Sequence, residues 1–451
     1  PDLPLPKVKF QRDPQRWTAT PKFRYKLHVE LNKKMAEIEA EFAQSPLNYV
    51  LHADASEGVG IIASGVAFGV AARTLHEMGV QVPLLKIGTP FPLPRALVAE
   101  FMRGLDTVIV LEEPDTCIEL QLPARARVRG RLDGTVPGAG ELTPEVIAAV
   151  LAKTLGEAGF ALDPPPADPE LQSVIDGIDL PIRRPRLCPG CSHRSAFFAL
   201  KSEFGPRAIY PGDIGCYTLG MNLRAVDTFV DMGAAVTMAD GFYQVNRLLG
   251  DKRPIVATIG DSTFLHSGVV ALINAVHTGA RFVLIILDNH TTAMTGFQPT
   301  HASESLADGS RAARAVSIPD MVRACGVGFV ETVDPYAQQE FRAMLRTAQE
   351  FATSDEGGVA VLIADRPCVL YDPSPVREAP VPVVVTEECD GCRFCTEAFE
   401  CPALQLQPDG SRVDVDYKIC IECGQCIDAC YKGFIVADLP VSVPEMAVVD
   451  A

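Results

Sequence analysis

Residues 254–296 read PIVATIGDSTFLHSGVVALINAVHTGARFVLIILDNHTTAMTG. Pro254–Gly260 predicts a buried strand, Gly268–Thr278 a helix and Arg281–Leu287 a second strand. Two strands joined through a helix make a right-handed parallel βαβ unit. Asp261 and Asn289, 28 positions apart, then fall just past two strand carboxyl ends, where open α/β sheets bind ligands. A carboxylate, an amide oxygen and the Thr291 backbone carbonyl would give a hard cation such as Mg²⁺ three of six oxygen ligands. Phosphate oxygens and water could fill the rest. Gly260 permits close backbone approach, and Ser262 and Thr263 offer hydroxyl donors to phosphate. The competing reading is structural: a strand-end Asp that caps the following helix.

The same alternation extends upstream. GIIASG (60–65), VPLLKIG (82–88) and TVIVLEE (107–113) read as strands, and VAARTLHEM (70–78) and PRALVAEFMRGL (94–105) as helices, the second with Pro in its first turn. Glu112 and Glu113 read as a solvated strand end. Residues 48–125 and 186–370 are thus two α/β blocks with parallel sheets. Between them lie a Pro/Gly-rich connection, a helix near 143–157 and the linker-like run DPPPADPE, residues 163–170. Residues 21–45 predict a helix, residues 1–20 an extended lead-in, and residues 437–451 little pattern.

Hydrophobic residues make 47% of the 451 positions and charged residues 22%, a globular composition. The net charge of −17 argues against nucleic acid or an anionic membrane as main partner, since both attract basic patches. The longest uncharged stretch, Ser262–Ala280, still carries two His and an Asn, unlike a spanning helix. The opening residues PDLPLPKVKFQRDPQRW lack a secretory pattern, and a cytoplasmic setting is expected.

Eight of the 14 Cys crowd into residues 389–430. The first run is Cys389-x2-Cys392-x2-Cys395-x5-Cys401-Pro402, and the second is Cys420-x2-Cys423-x2-Cys426-x3-Cys430. Triplets at this spacing face one [4Fe–4S] cubane, and the trailing Cys reaches the other cluster. One cluster is therefore assigned to Cys389, Cys392, Cys395 and Cys430, and another to Cys420, Cys423, Cys426 and Cys401. Structural zinc, the alternative, usually takes two C-x2-C pairs. The first run departs from the common spacing before its last Cys, and the second lacks the trailing Pro. Cys188-Pro-Gly-Cys191 is a further ligand-like pair, open to redox or zinc readings on its own. Cys117 and Cys325 read as core.

GDSTF and LDNHTTAMTG, with CPGCSHR (188–194), DIGCYTLG (213–220) and MGAAVTMADG (232–241), closely resemble thiamine-diphosphate-binding segments of the 2-oxoacid:ferredoxin oxidoreductases. The resemblance is strongest to the large subunit of indolepyruvate ferredoxin oxidoreductase. It spans about residues 186–436 and, more loosely, the preceding block. GDS stands where many thiamine enzymes have GDG, and His290 where a second Asn is common. The resemblance implies three domains: a transketolase C-terminal-like parallel-sheet domain (48–165), a thiamine-diphosphate-binding α/β domain (166–380), and a small α+β two-cluster ferredoxin domain with tail (381–451). Residues 1–47 are lead-in and linker helix. It also implies that Cys188, Cys191, Cys216 and Cys368 hold a third [4Fe–4S] cluster beside the thiazolium ring. Gly215, Cys216, Tyr217, Gly233, Ala234 and Thr295 fall in cofactor-lining segments. His266 is the candidate catalytic residue, with His193 a second histidine that could face the reaction.

The activity implied is oxidative decarboxylation of a 2-oxoacid, indolepyruvate or another aryl pyruvate leading, to an acyl-coenzyme A. Electrons pass through the clusters to ferredoxin, under anaerobic conditions. The family's pyrimidine-binding domain has no counterpart in this sequence, so it is expected on another chain or on an upstream segment. A small partner subunit completes the complex. Two alternatives come from other classes: a thiamine-fold electron-transfer subunit without its own catalytic site, and a non-redox thiamine-dependent decarboxylase.

Overall fold

The computed structural model describes residues 9–55, 58–123, 125–162, 169–179 and 184–438. The first eight residues of the expected lead-in, most of the linker-like run (163–168) and the tail beyond 438 lie outside the described residues. The chain forms two compact units, Pro1–Pro181 and Ile182–Ala451.

In the first unit, β1 (Tyr49–Leu51), β2 (Val59–Ser64), β3 (Leu84–Ile87), β4 (Thr107–Leu111) and β5 (Val128–Arg129) form one sheet in the order β1-β3-β2-β4-β5. β1 is antiparallel to β3 and the other pairs are parallel. Alternate residues of each strand feed opposite cores. Ile61 and Ile109 join helices Gly65–Glu77 and Pro144–Glu157, while Ile62 and Val110 join helix Arg95–Phe101. Burial on both faces is why these strands read as unbroken apolar runs rather than alternating ones. Helix Pro144–Glu157 starts as its sequence predicts: the Thr143 hydroxyl accepts from Val146 N, and Pro144 occupies the first position.

One expectation fails here. Glu112, just past β4, is 2% exposed. Its carboxylate accepts from the backbone N–H groups of Cys117, Ile118 and Glu119 at 2.6–2.9 Å. The strand end is a buried backbone cap, because the following turn folds its free N–H groups back onto the acid. Cys117, expected in the core, is exposed on that turn, while Cys325 is half-buried.

In the second unit, β6 (Val256–Gly260), β7 (Val283–Asp288), β8 (Phe329–Val333) and β9 (Ala360–Asp365) form a wholly parallel sheet in the order β6-β7-β9-β8. Helices Ser192–Phe204 and Gln338–Thr353 cover one face. Ala234–Leu249, Val269–His277 and Ile318–Ala324 cover the other. The helix after β6 begins earlier than its sequence predicts. Asp261–Thr263 is already helical, and Phe264–Gly268 makes one wide turn closed by Val269 N to Phe264 O. Such turns recur at functional sites. The carboxyl ends of β6, β7 and β9 are neighbours, which places Asp261, Asn289 and Cys368 side by side.

The Cys-dense segment packs into the same unit. β10 (Val383–Val385) pairs antiparallel with β13 (Ile435–Ala437), and β11 (Leu404–Leu406) with β12 (Val413–Val415). Phe198, from helix Ser192–Phe204, joins its apolar core with Phe399, Cys395, Cys401 and Cys426. Gln425 accepts from Ser195 Oγ at 3.1 Å. No described helix is long and apolar enough to cross a membrane.

Candidate active site

A cavity of about 120 Å³ opens at the carboxyl ends of β6 and β7. Gly260, Asp261, Ser262 and Thr263 form one wall, Asn289, Thr291 and Thr295 a second, and Gly215, Cys216 and Tyr217 a third. Met232 and His193 complete it. Gly233 and Ala234 stand behind it, at the start of helix Ala234–Leu249. Asp213, fully buried, holds them there. Its carboxylate accepts from Ile214 N, Gly233 N and Ala235 N at 2.8–3.2 Å. It thereby ties the Cys216 turn to the helix start. Gly260 has φ −80°, so no left-handed conformation demands glycine. A Cβ there would instead lie 2.4 Å from the Tyr217 ring. The Tyr217 hydroxyl donates to Ile214 O and lies 3.0 Å from Thr263 Oγ1.

Asp261 is 3% exposed. Its Oδ1 accepts from Ser262 N at 2.8 Å, while its Oδ2 is buried without a hydrogen-bond partner. Burial, and then the neighbouring Asp288 carboxylate, push Asp261 up to about 8. A buried carboxylate facing another acid with an orphaned oxygen suits a hard divalent cation, which would satisfy the oxygen and cancel the repulsion. Asn289 and Thr291, 6% and 2% exposed, stand beside it. The Asp288 carboxylate accepts from His290 N, and His290 Nε2 lies 2.5 Å from Asp365 Oδ1. That bond, opposed by burial, raises the His290 pKa. Asp288, His290 and Asp365 bring ligand atoms within 4.8 Å of one another, the one such set of three among the described residues.

Several cysteines act on one another electrostatically. Burial, then Cys430, Cys389 and Cys392, push the Cys395 thiol up to about 11. Burial, then Cys423, Cys401 and Cys420, push Cys426 up. Burial, then Cys368 and Cys188, raise Cys216. Cys191 N donates to Cys188 O at 3.1 Å, and Cys368 N donates to Asn289 O at 3.0 Å. Backbone N–H groups also point at sulfur: Val413 to Cys389, Glu422 to Cys420 and Phe434 to Cys430, at 3.2–3.5 Å. Such bonds tune iron–sulfur centres.

The two histidines part ways. His266 is exposed outside the lining, its ring 4.8 Å from that of His301. His193 is 4% exposed, lines the cavity, and has both ring nitrogens buried without a partner. Burial lowers its pKa to about 4, so the ring is neutral at physiological pH.

The thiamine pyrophosphate enzyme C-terminal TPP-binding domain matches residues 213–364, which supply all of this cavity's lining but His193. The indolepyruvate oxidoreductase subunit IorA of Methanothermobacter marburgensis is 38% identical over 441 residues, covering 94% of this chain and 67% of that protein. The same subunit of Archaeoglobus fulgidus is 38% identical, covering 95% and 67%. The chain belongs to the indolepyruvate oxidoreductase subunit IorA family. It is an oxidoreductase subunit with a thiamine-diphosphate-binding domain, and it spans about two thirds of the length of these relatives. Among solved structures, the 2-oxoglutarate:ferredoxin oxidoreductase from Magnetococcus marinus aligns over 52% of this chain and 80% of its own, at 16% identity and a TM-score of 0.36.

Proposed function

We propose that this chain carries the thiamine and iron–sulfur centres of a complex that oxidatively decarboxylates a 2-oxoacid, with an aryl pyruvate such as indolepyruvate as substrate. The acyl product leaves as a coenzyme A thioester and the electrons go to ferredoxin. One observation carries the reading: Cys216 is a wall of the cavity that Asp261 and Asn289 also line, and Cys368 is hydrogen-bonded to Asn289. A decarboxylase without redox chemistry has no use for sulfur ligands at that wall, and a bare scaffold none for the orphaned Asp261 oxygen.

Asp261, Asn289 and the Thr291 carbonyl hold Mg²⁺, and Ser262 and Thr263 donate to the diphosphate. Cys188, Cys191, Cys216 and Cys368 hold one [4Fe–4S] cluster. Cys401, Cys420, Cys423 and Cys426 hold a second, and Cys389, Cys392, Cys395 and Cys430 a third. When bound, thiamine supplies the carbon nucleophile and the clusters supply one-electron steps. The protein's own part is placement: Tyr217 and the Cys216 turn wall the cavity, and neutral His193 would offer an N–H to a bound substrate. The domain division is 48–165, 166–380 and 381–451. A pyrimidine-binding domain, on another chain or an upstream segment, and a small partner subunit complete the site in the cytoplasm.

The test is viologen reduction by the native complex with a panel of 2-oxoacids and coenzyme A, alongside metal analysis. About twelve irons per chain, as three four-iron clusters require, and substrate-dependent reduction are expected. Zinc in place of iron, or carbon dioxide release without dye reduction, defeats the proposal.

A further inference from the structure

Arg194, from the CPGCSHR segment, is 1% exposed and among the largest fully buried side chains. Its Nη1 donates to Phe399 O at 2.6 Å, and its Nη2 donates to Leu187 O and, at 3.4 Å, to Cys188 O. Its Nε is buried without a partner, and the guanidinium lies 5.6 Å from the centre of the Phe399 ring. Every one of these acceptors is neutral. No ion pair involves Arg194 among the described residues; Glu400, whose charge also acts on it, is paired with Arg186 at 3.5 Å.

A guanidinium stays charged at any physiological pH. A buried charge is strongly unfavourable unless an opposite charge shares its low-dielectric surroundings. What surrounds Arg194 is sulfur. Cys191 O accepts from its backbone N at 3.1 Å, and Cys188, Cys191 and Cys401 all act on it electrostatically. Cys188 and Cys191 belong to the set beside the thiamine cavity, and Cys401 to a set in the C-terminal segment. The side chain therefore bridges the seam between two cluster sites. Of the charges around it, those of Cys401 and Cys191 act on it most strongly.

We propose that the clusters on either side of Arg194 are its counter-charge, and that Arg194 in turn makes both easier to reduce. This rests on the iron–sulfur reading above. A thiolate-ligated [4Fe–4S] cluster is anionic and gains one further negative charge when it accepts an electron. A fixed buried cation therefore stabilises the reduced form more than the oxidised form. No proton moves, and the electron comes from substrate oxidation. Arg194 thus raises the potentials of the two inner clusters together, which favours electron entry from the cavity.

The test is redox titration of the native complex, followed by electron paramagnetic resonance, for wild type, Arg194→Gln and Arg194→Lys. In Arg194→Gln, the one-electron equilibrium of each inner cluster should move at least tenfold toward the oxidised form, which is 59 mV. The outer cluster should stay in place, and Arg194→Lys should stay within threefold of wild type. Should Arg194→Gln fail to hold iron, selective loss from the inner clusters with full loading of Arg194→Lys also supports the proposal. Unmoved inner potentials, an equal shift of all three clusters, or Arg194→Lys behaving like Arg194→Gln overturns it. Wild type without any iron–sulfur signal would instead bring down the cluster reading itself.

Discussion

In each sheet one parallel strand runs into a buried acid, and the two acids live opposite lives. Glu112, after β4, has both carboxylate oxygens satisfied by three backbone N–H groups. Asp261, after β6, is as deeply buried, yet one oxygen has no partner and a second acid stands beside it. The first acid is spent on the fold. The second is held at a cost that only a ligand relieves, which is the mark of a binding site within an otherwise satisfied core.

The contrast can be broken by exchanging what the two acids do. Asp261→Asn should cost Mg²⁺-dependent thiamine diphosphate binding more than the roughly 10–100-fold that loss of a mere supporting group costs a metal site. It should also leave the ligand-free protein about as stable as before, because the amide N–H can donate to Asp288 as the protonated Asp261 does. Titration calorimetry and thermal melting read the two effects. Glu112→Ala should do the reverse, destabilising the first unit by about 3 kcal/mol, because three N–H groups lose a charged acceptor. Chemical denaturation should show the loss while thiamine affinity holds. Weakened thiamine binding in Glu112→Ala, or a large stability loss in Asp261→Asn, would erase the distinction.

Two glycines sharpen it. A Cβ on Gly260 would sit 2.4 Å from the Tyr217 ring, and one on Gly130 would sit 2.5 Å from the Glu119 carboxylate. Each Gly→Ala change should cost about 1–3 kcal/mol by overpacking. Only Gly260→Ala should also weaken thiamine binding, since Tyr217 lines the cavity. The smallest effect is expected from His266→Ala, with turnover within twofold of wild type. His193→Ala, which empties a position in the cavity wall, should lower turnover by at least tenfold, the scale of a lost positioned donor. Equal behaviour of the two histidine variants would remove His193 from the site.

Much of this is legible in the amino-acid sequence. Strand and helix positions of the βαβ unit follow from apolar periodicity, and Asp261 and Asn289 follow from their place at its strand ends. Cys spacing within each run reflects the reach of a few residues around one cube. The sequence places the helix from Gly268, whereas it starts at Asp261, because Asp261, Ser262 and Thr263 read as ligand-binding groups past a strand end. Asp288 and His290 were passed over as mere neighbours of Asn289. Their significance depends on Asp365, which β7–β9 pairing brings alongside Asp288.

Sequence alone determined the parts that depend on neighbours along the chain: the strand and helix periods, the two Cys runs, and the Gly-Asp and Asp-Asn strand ends. Tertiary structure decided everything that depends on which distant groups share a dry space. Glu112 turned inward, His193 rather than His266 reached the cavity, and Arg194 met a carbonyl 205 positions away. The physical reason is that burial and electrostatic strength are properties of surroundings. A carboxylate, an imidazole or a guanidinium carries the same letters in the chain whether water, a backbone cap or an unpaired charge will surround it.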